Sequence, residues 1–215
     1  MALTPDPDAG AFGPWTSGDA IVGPAIVAYL DDGDPADFSG VALAAGWLTD
    51  PAGIRVPADV AMGDTPDVLA YTLDGDEFTA PGVWTLSADV VVGANTFRIA
   101  PAPFVVEGTD GWLTLAAARA SWRDAPSSDV VLWRLLAMAR EQVEAYAYRS
   151  VAAIPVPTSN LVTAQHTQAR NIWNATKTDP ASQGIGDEGF VIRPFPLDWT
   201  VKQMIRPVRA IPVVR

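Results

Sequence analysis

The hydrophobic pattern of the chain changes once, near residue 108, and this change constrains the possible folds more than any other feature. Residues 20–107 contain short runs of β-branched and aromatic residues, separated by turn signals such as Asp74-Gly75-Asp76. Beyond residue 111, apolar residues recur every three or four positions, as in an amphipathic helix. The sequence therefore predicts an α+β protein in which a β-rich unit precedes a helical one.

The spacing of short strands in the β-rich unit, residues 20–107, favours a β-sandwich or a small barrel, and we predict an antiparallel β-sandwich of six to eight strands. Residues 84–90 alternate large apolar side chains with small or polar ones, which is typical of a strand with one buried face. Gly93-Ala94-Asn95 is expected to turn the chain so that residues 97–99 return as a hairpin. Trp47 and Trp84 are expected in the core. Residues 1–19 are predicted to form an extended arm.

The second unit, residues 112–206, is predicted to be a bundle of about four helices, followed by an extended tail at 207–215. Thr114, Ser127 or Ser128, and Thr158 or Ser159 are the expected N-caps, since their hydroxyls can accept hydrogen bonds from free backbone N–H groups. The expected helices run from 115 to about 123, from about 128 to 148, from about 159 to 176, and from 197 to 206. The apolar stripe expected on the second helix is Leu132, Leu135, Leu136, Ala139, Val143 and Tyr146. On the third it is Leu161, Val162, Ala169, Ile172 and Trp173.

Charge is divided unevenly between the two halves. Residues 1–111 hold 17 acidic residues against Arg55 and Arg98, whereas residues 112–215 hold eight acidic and 12 basic residues. The acidic half is a poor candidate for nucleic-acid binding, because it repels phosphates.

The absence of cysteine excludes disulfides, thiolate metal sites and a cysteine nucleophile. Since no signal peptide and no run of roughly 18 to 20 apolar residues is found, we expect cytoplasmic synthesis and no membrane contact.

Two stretches of the helical half carry a family resemblance. Leu113-Thr114-Leu115-Ala116-Ala117-Ala118-Arg119 and the later run from Leu135 to Tyr146, LLAMAREQVEAY, resemble the tailed-phage head-to-tail connector family, also called head-completion adaptors. The resemblance covers residues 112–209. The β-rich unit is an addition to the family's helical form, and it resembles the immunoglobulin-like sandwiches of phage structural proteins.

The connector resemblance implies a structural virion protein rather than an enzyme. Family members form a ring, commonly of about a dozen copies, below the portal at the neck between head and tail. The partners implied are further copies of the chain, the portal protein, and a downstream tail or stopper protein. DNA passes through the lumen of such a ring without sequence-specific binding.

The C-terminal region combines cations with aromatic and aliphatic residues, which favours a docking segment for the portal or a neighbouring subunit. Two other interpretations stay open: a solvated helix with a free terminus, and DNA binding, which the acidic remainder of the chain opposes. The candidate interface residues are Arg193, Phe195, Trp199, Lys202, Arg206, Arg209 and Arg215.

The other motifs are better explained as turns, loops or surface residues than as binding or catalytic sites, so we expect no cofactor, no bound metal and no catalytic residue. The sequence at 184–189 spells GxGxxG but lacks the preceding strand and following helix of a dinucleotide site. Asp31, Asp32, Asp34 and Asp37 suit turns better than a calcium loop, and Asp74, Asp76 and Glu77 suit a hairpin tip. His166 is predicted to be a surface or interface residue.

Two other functional classes remain as alternatives to the adaptor. In the first, the β-sandwich binds a carbohydrate or another virion protein, and exposed tryptophans among Trp15, Trp47 and Trp84 would support this, because sugars stack on aromatic faces. In the second, the chain is an enzyme such as a glycosidase, which would need two carboxylates facing one cleft. No pair of carboxylates is singled out by the sequence.

Overall fold

The structure, a computed structural model, describes residues 4–5, 15–16, 21–29, 42–62, 68–73, 77–92, 94–99, 101–147, 156–177 and 197–205. The chain divides into two compact units, Met1–Thr109 and Asp110–Arg215. The first unit contains a largely antiparallel sheet with six strands of six or more residues, and the second contains four helices. The predicted α+β class is therefore confirmed. No helix in the described part of the chain is long and apolar enough to cross a membrane.

The sheet contains three short strands in addition to the six longer ones. Its order is β1-β3-β6-β5-β4-β7-β9-β2, with β8 paired to β7, and only the pairing of β2 with β9 is parallel among the described strands. β1 and β2 fall within residues 1–19, the segment predicted to be an arm. The strands are β1 (Thr4–Pro5), β2 (Trp15–Thr16), β3 (Ile21–Tyr29), β4 (Ala42–Thr49), β5 (Arg55–Met62), β6 (Val68–Leu73), β7 (Gly82–Val92), β8 (Asn95–Arg98) and β9 (Ala102–Glu107).

Strand β5 pairs with two neighbours along different parts of its length. Residues 55–58 pair with β4, and residues 59–62 pair with β6. Where β5 lies against β4, a Cβ on Gly46 would come within 2.4 Å of the carbonyl oxygen of Ala58. Only glycine permits so close an approach of the two backbones.

The core of the first unit confirms the alternation predicted for β7. Trp84, Leu86, Ala88 and Val90 are buried in one apolar cluster with residues of β4, β6 and β9. Trp84 is 1% exposed, and its indole Nε1 donates a hydrogen bond to the carbonyl of Ala80 at 3.0 Å. The predicted hairpin is also confirmed, since β7 and β8 pair antiparallel around residues 93 and 94.

The second unit contains α1 (Leu115–Ser121), α2 (Asp129–Ala147), α3 (Ser159–Lys177) and α4 (Trp199–Met204). Thr114 caps α1 as predicted, since its hydroxyl accepts a hydrogen bond from the Ala117 N–H at 3.2 Å. Ser128 caps α2, accepting from the Val131 N–H at 3.4 Å. α4 begins two residues later than expected, because Asp198 keeps an extended backbone at its N-cap position.

The apolar stripe predicted for α2 is confirmed, whereas that predicted for α3 is partly wrong. All predicted α2 residues are buried except Tyr146, which is half-buried. On α3, Val162, Ile172 and Trp173 are only half-buried, and the polar residues Gln165 and Gln168 are buried instead. Both polar atoms of the buried Gln165 side chain are hydrogen-bonded. The Oε1 atom accepts from the Leu113 N–H at 3.0 Å, and the Nε2 atom donates to the Leu136 carbonyl at 3.1 Å. A buried amide is tolerated where its hydrogen bonds are made.

Helix α4 packs against the other helical elements through one face. Leu197, Val201 and Ile205 are buried in a cluster whose other members come from α2, α3 and the segment before α1. These other members are Trp112, Val143, Leu161 and Ala164. The packing determines which side of α4 is left in contact with solvent.

We predict that the Leu86→Ala variant loses about 2–5 kcal/mol of unfolding free energy in the first unit, because truncation leaves a cavity in a fully buried cluster. Ile54→Ala is the matched control: Ile54 is 61% exposed, so a change within about 0.5 kcal/mol is expected. The unfolding free energy of each variant is measured by following hydrogen exchange over residues 45–107 as the urea concentration is raised. Equal losses in the two variants would contradict the assigned core.

Candidate functional site

The structure describes two of the seven predicted interface residues, and both lie on α4. The Trp199 side chain is 67% exposed, and Lys202 is half-buried one helical turn later. The other predicted residues lie outside the described part of the chain: Arg193, Phe195, Arg206, Arg209 and Arg215.

Trp199 is presented to solvent because the opposite face of α4 is occupied. Val201 and Ile205 face the apolar cluster, so Trp199, at the start of the helix, lies on the outer side. Asp198, the residue before it, is exposed, and its carboxylate makes no hydrogen bond to the helix N-terminus. The outer side of α4 therefore presents an aromatic ring together with a carboxylate and, one turn along, a half-buried ammonium group.

A second surface feature, an open cleft of about 470 Å³, lies in the same unit. We call it the α2 cleft. One wall is the turn before α2 together with Val131, and the other is the end of α3, with Trp173 and Lys177. Val131 is 38% exposed, and the Lys177 ammonium lies 4.8 Å from the Trp173 ring. The full lining is Asp124, Ala125, Pro126, Ser127, Ser128, Val131, Trp173 and Lys177.

The α2 cleft and α4 lie at opposite ends of the α2–α3 pair. Val143, near the end of α2, shares the α4 cluster with Leu161, near the start of α3. Val131, in the first turn of α2, lines the cleft with Trp173, near the end of α3. The two helices are therefore antiparallel. At 1.5 Å per residue, the 12 positions from Val131 to Val143 span about 18 Å.

In the first unit, the only two basic residues of the acidic half meet at one carboxylate, Asp89. Arg98 Nε donates to Asp89 Oδ1 at 2.8 Å, and Arg55 Nη2 lies 3.6 Å from Oδ2. The indole Nε1 of Trp47 also donates to Oδ2, at 3.1 Å. The Arg55 guanidinium lies over the Trp47 ring, 4.0 Å from its centroid. We call these four residues the Asp89 cluster.

The strand registers explain how the Asp89 cluster forms. Asp89 on β7 lies directly opposite Arg98 on β8, so the side chains share one face of the sheet. Sequence reasoning missed this pair, although the predicted hairpin contained the signal: antiparallel pairing around residues 93 and 94 places residues 89 and 98 opposite each other. The hydrogen bond from Arg98, and secondarily that from Trp47, lowers the pKa of the Asp89 carboxyl despite the opposing effect of desolvation.

The prediction that Trp47 belongs to the core is wrong. It is half-buried, and it lies in the Asp89 cluster rather than among the buried residues around Trp84. The reason is the pleat: neighbouring residues on β4 face opposite sides of the sheet, and the fully buried Leu48 takes the inner side. Trp15 lies outside the residues whose side chains are described.

His166 lies in a contact between helices, on α3 against the end of α1. Its Nε2 is 3.5 Å from the Ser121 hydroxyl, and its ring meets the edge of Trp122. Burial, with a smaller contribution from Arg170, lowers the pKa of His166. The Ser121 hydroxyl donates a hydrogen bond to the Ala117 carbonyl of the same helix at 2.9 Å, so its proton is not directed at His166. This arrangement lacks the short hydrogen bond of an activated nucleophile.

Most of the remaining sequence motifs fall outside the described residues. These include the GxGxxG stretch at 184–189, the four aspartates between residues 31 and 37, and Asp74 and Asp76. Within the described ranges, no group of three or more His, Cys, Asp or Glu side chains is placed to hold a metal ion. Comparison with protein-family models and with curated proteins found no match to this chain.

We predict that Asp89→Asn destabilises the first unit at neutral pH and has no effect in strong acid. Folding lowers the pKa of Asp89, so the charged carboxylate stabilises the native state above the pKa of the unfolded chain. That contribution is lost as the pH falls through the lowered value. The variant should therefore unfold at lower urea than wild type near pH 7, and the difference should disappear in acid strong enough to protonate Asp89 in the native state.

The control for Asp89→Asn is Asp59→Asn, because Asp59 is exposed on β5. It should change the urea midpoint little at either pH. Hydrogen exchange over residues 45–107 gives the midpoints for both variants. A destabilisation by Asp89→Asn that is the same at both pH values would show that the ion pairs are not its source.

Proposed function

We propose that this protein is a structural adaptor of the tailed-phage neck, which forms a ring below the portal and contacts a downstream tail or stopper protein. The observation that carries the proposal is the exposure of Trp199 on a helix whose other face is firmly packed. Solvent-exposed tryptophans on fixed elements are frequent anchors of protein interfaces. The resemblance of residues 112–209 to the connector family supplies the class of assembly.

The proposal includes a finer description of both units. The first is proposed to be a β-sandwich, and two features support this: β5 divides its pairing between β4 and β6, and strands β6 and β7 contribute to one buried cluster. The second is proposed to be a helical bundle built on the antiparallel pair α2 and α3. In this proposal the bundle forms the ring, and the basic C-terminal region contacts the portal.

The charge distribution supports passage of DNA without sequence-specific binding. Residues 1–111 carry a large excess of acidic residues, and both of their arginines are engaged by Asp89. If this unit lines the lumen, phosphates find few free cations there and release few counterions. The acidic wall would then keep DNA from adhering as it moves.

We predict that the full chain assembles into a closed ring of one stoichiometry, alone or on the portal protein of the same genome. Native mass spectrometry and electron microscopy measure the copy number and closure. A portal protein from an unrelated phage serves as the control for specific binding. The adaptor function would be refuted if the chain stays monomeric both alone and with the portal protein of the same genome, and does not bind that portal protein.

The second candidate is a binding module carried by the first unit. The observation in its favour is the Asp89 cluster, where Arg98 is 59% exposed beside a half-buried tryptophan. Because Arg55 covers one face of Trp47, stacking of a sugar on that face is disfavoured. An acidic protein or acidic glycan fits the cluster better, provided that its carboxylate shares the exposed Arg98 side chain with Asp89.

If the second candidate is correct, the full chain should bind acidic members of a glycan array or acidic virion proteins, and Arg98→Ala should weaken that binding several-fold. The salt dependence of binding should fall in the same variant, since one cation is removed. Asp59→Asn is a suitable control on the same unit. Unchanged binding in Arg98→Ala would exclude the Asp89 cluster as the binding site.

A further inference from the structure

We propose that the subunits join head to tail, with Trp199 of one copy inserted into the α2 cleft of the next. This inference rests on the proposed ring and names the contact that would build it. The occupant of the cleft is thus a second copy of this chain, and the inserted element is the start of α4.

The two surfaces are compatible in size and apolar character. Trp199 projects from a packed helix with 67% of its side chain exposed. The α2 cleft has a volume of about 470 Å³, within the range that accepts a small organic ligand, and its walls include Pro126, Val131 and Trp173. An indole ring entering it would bury apolar area on both copies and would meet the Trp173 ring.

The two surfaces also match in charge. On α4, Asp198 and Lys202 lie on either side of Trp199 along the chain. In the cleft, Lys177 lies at one wall and Asp124 at the other. Insertion of Trp199 therefore allows two opposite-charge pairs, Asp198 with Lys177 and Lys202 with Asp124. The Asp198 carboxylate is available for such a pair because it does not cap its own helix.

The positions of the two surfaces make the contact intermolecular. α4 packs near Val143, whereas the cleft opens near Val131, about 18 Å away along α2. Trp199 also lies on the side of α4 that faces away from the α2–α3 pair, so it cannot fill the cleft of its own chain. A contact between different surfaces of identical subunits is heterologous, and such contacts generate closed rings when the rotation between subunits closes.

The test uses two full-length variants that damage opposite sides of the contact. Trp199→Ala removes the inserted ring, and Val131→Glu places a charge in the cleft at a helix position where an acidic residue is tolerated. Each variant alone should self-associate at least about 30-fold more weakly than wild type, which is the effect expected of an interface hot spot. Glu141→Ala, an exposed change elsewhere on α2, should associate like wild type.

Mixing the two variants gives the decisive observation. The Val131→Glu variant keeps Trp199, and the Trp199→Ala variant keeps an unaltered cleft. Trp199 of the first can therefore enter the cleft of the second, but the two remaining surfaces of the pair are both damaged. Native mass spectrometry should show a 1:1 heterodimer that grows no further. Circular dichroism checks that both variants fold. If the mixture gives no heterodimer while wild type forms rings, the assigned contact is wrong.

A charge exchange tests the pairing independently. Lys202→Glu should weaken self-association, and adding Asp124→Lys to the same chain should restore most of it. Rings formed equally well by all variants would overturn the assigned contact and leave the adaptor function intact. A wild-type chain that never self-associates, with or without portal protein, would instead overturn the adaptor function, and the contact with it.

Discussion

The proposed interfaces depend on the packing of α4 against α2 and α3. A helix of six residues is too short to be stable in isolation, so α4 exists because Val201 and Ile205 are buried among residues of the longer helices. That packing also fixes the direction in which Trp199 projects. Without it, the same tryptophan would belong to an unanchored segment, and ordering it on binding would cost part of the free energy that its burial provides.

The antiparallel arrangement of α2 and α3 gives the second unit two different ends. α4 lies at one end and the α2 cleft at the other, so the surfaces best suited to association are not the same surface. The buried amide of Gln165, bonded to Leu113 and Leu136, holds α3 against α2 and against the segment before α1. Moving α3 along α2 would leave this amide unpaired, which is costly in the interior.

Much of the secondary structure could be predicted from local sequence. The alternation in β7, the hairpin at residues 93 and 94, the N-caps Thr114 and Ser128, and the stripe on α2 all depend on neighbours within a few residues. The stripe of α3 could not be predicted equally well, because Gln165 is buried by partners on two other segments. Trp47 was misplaced for a related reason: a tryptophan suits a core, and only the pleat of β4 shows that it faces the other way.

The sequence by itself determined the α+β class, the change of pattern near residue 108 and the division of charge, because these follow from periodicity, capping and composition. The tertiary structure alone decided which residues meet across long separations. Asp89 contacts Arg55, Arg98 and Trp47 because the strand register places these side chains together. The α2 cleft is lined by residues from the turn before α2 and from the end of α3. Contacts of this kind depend on how packed elements align, which no local pattern specifies.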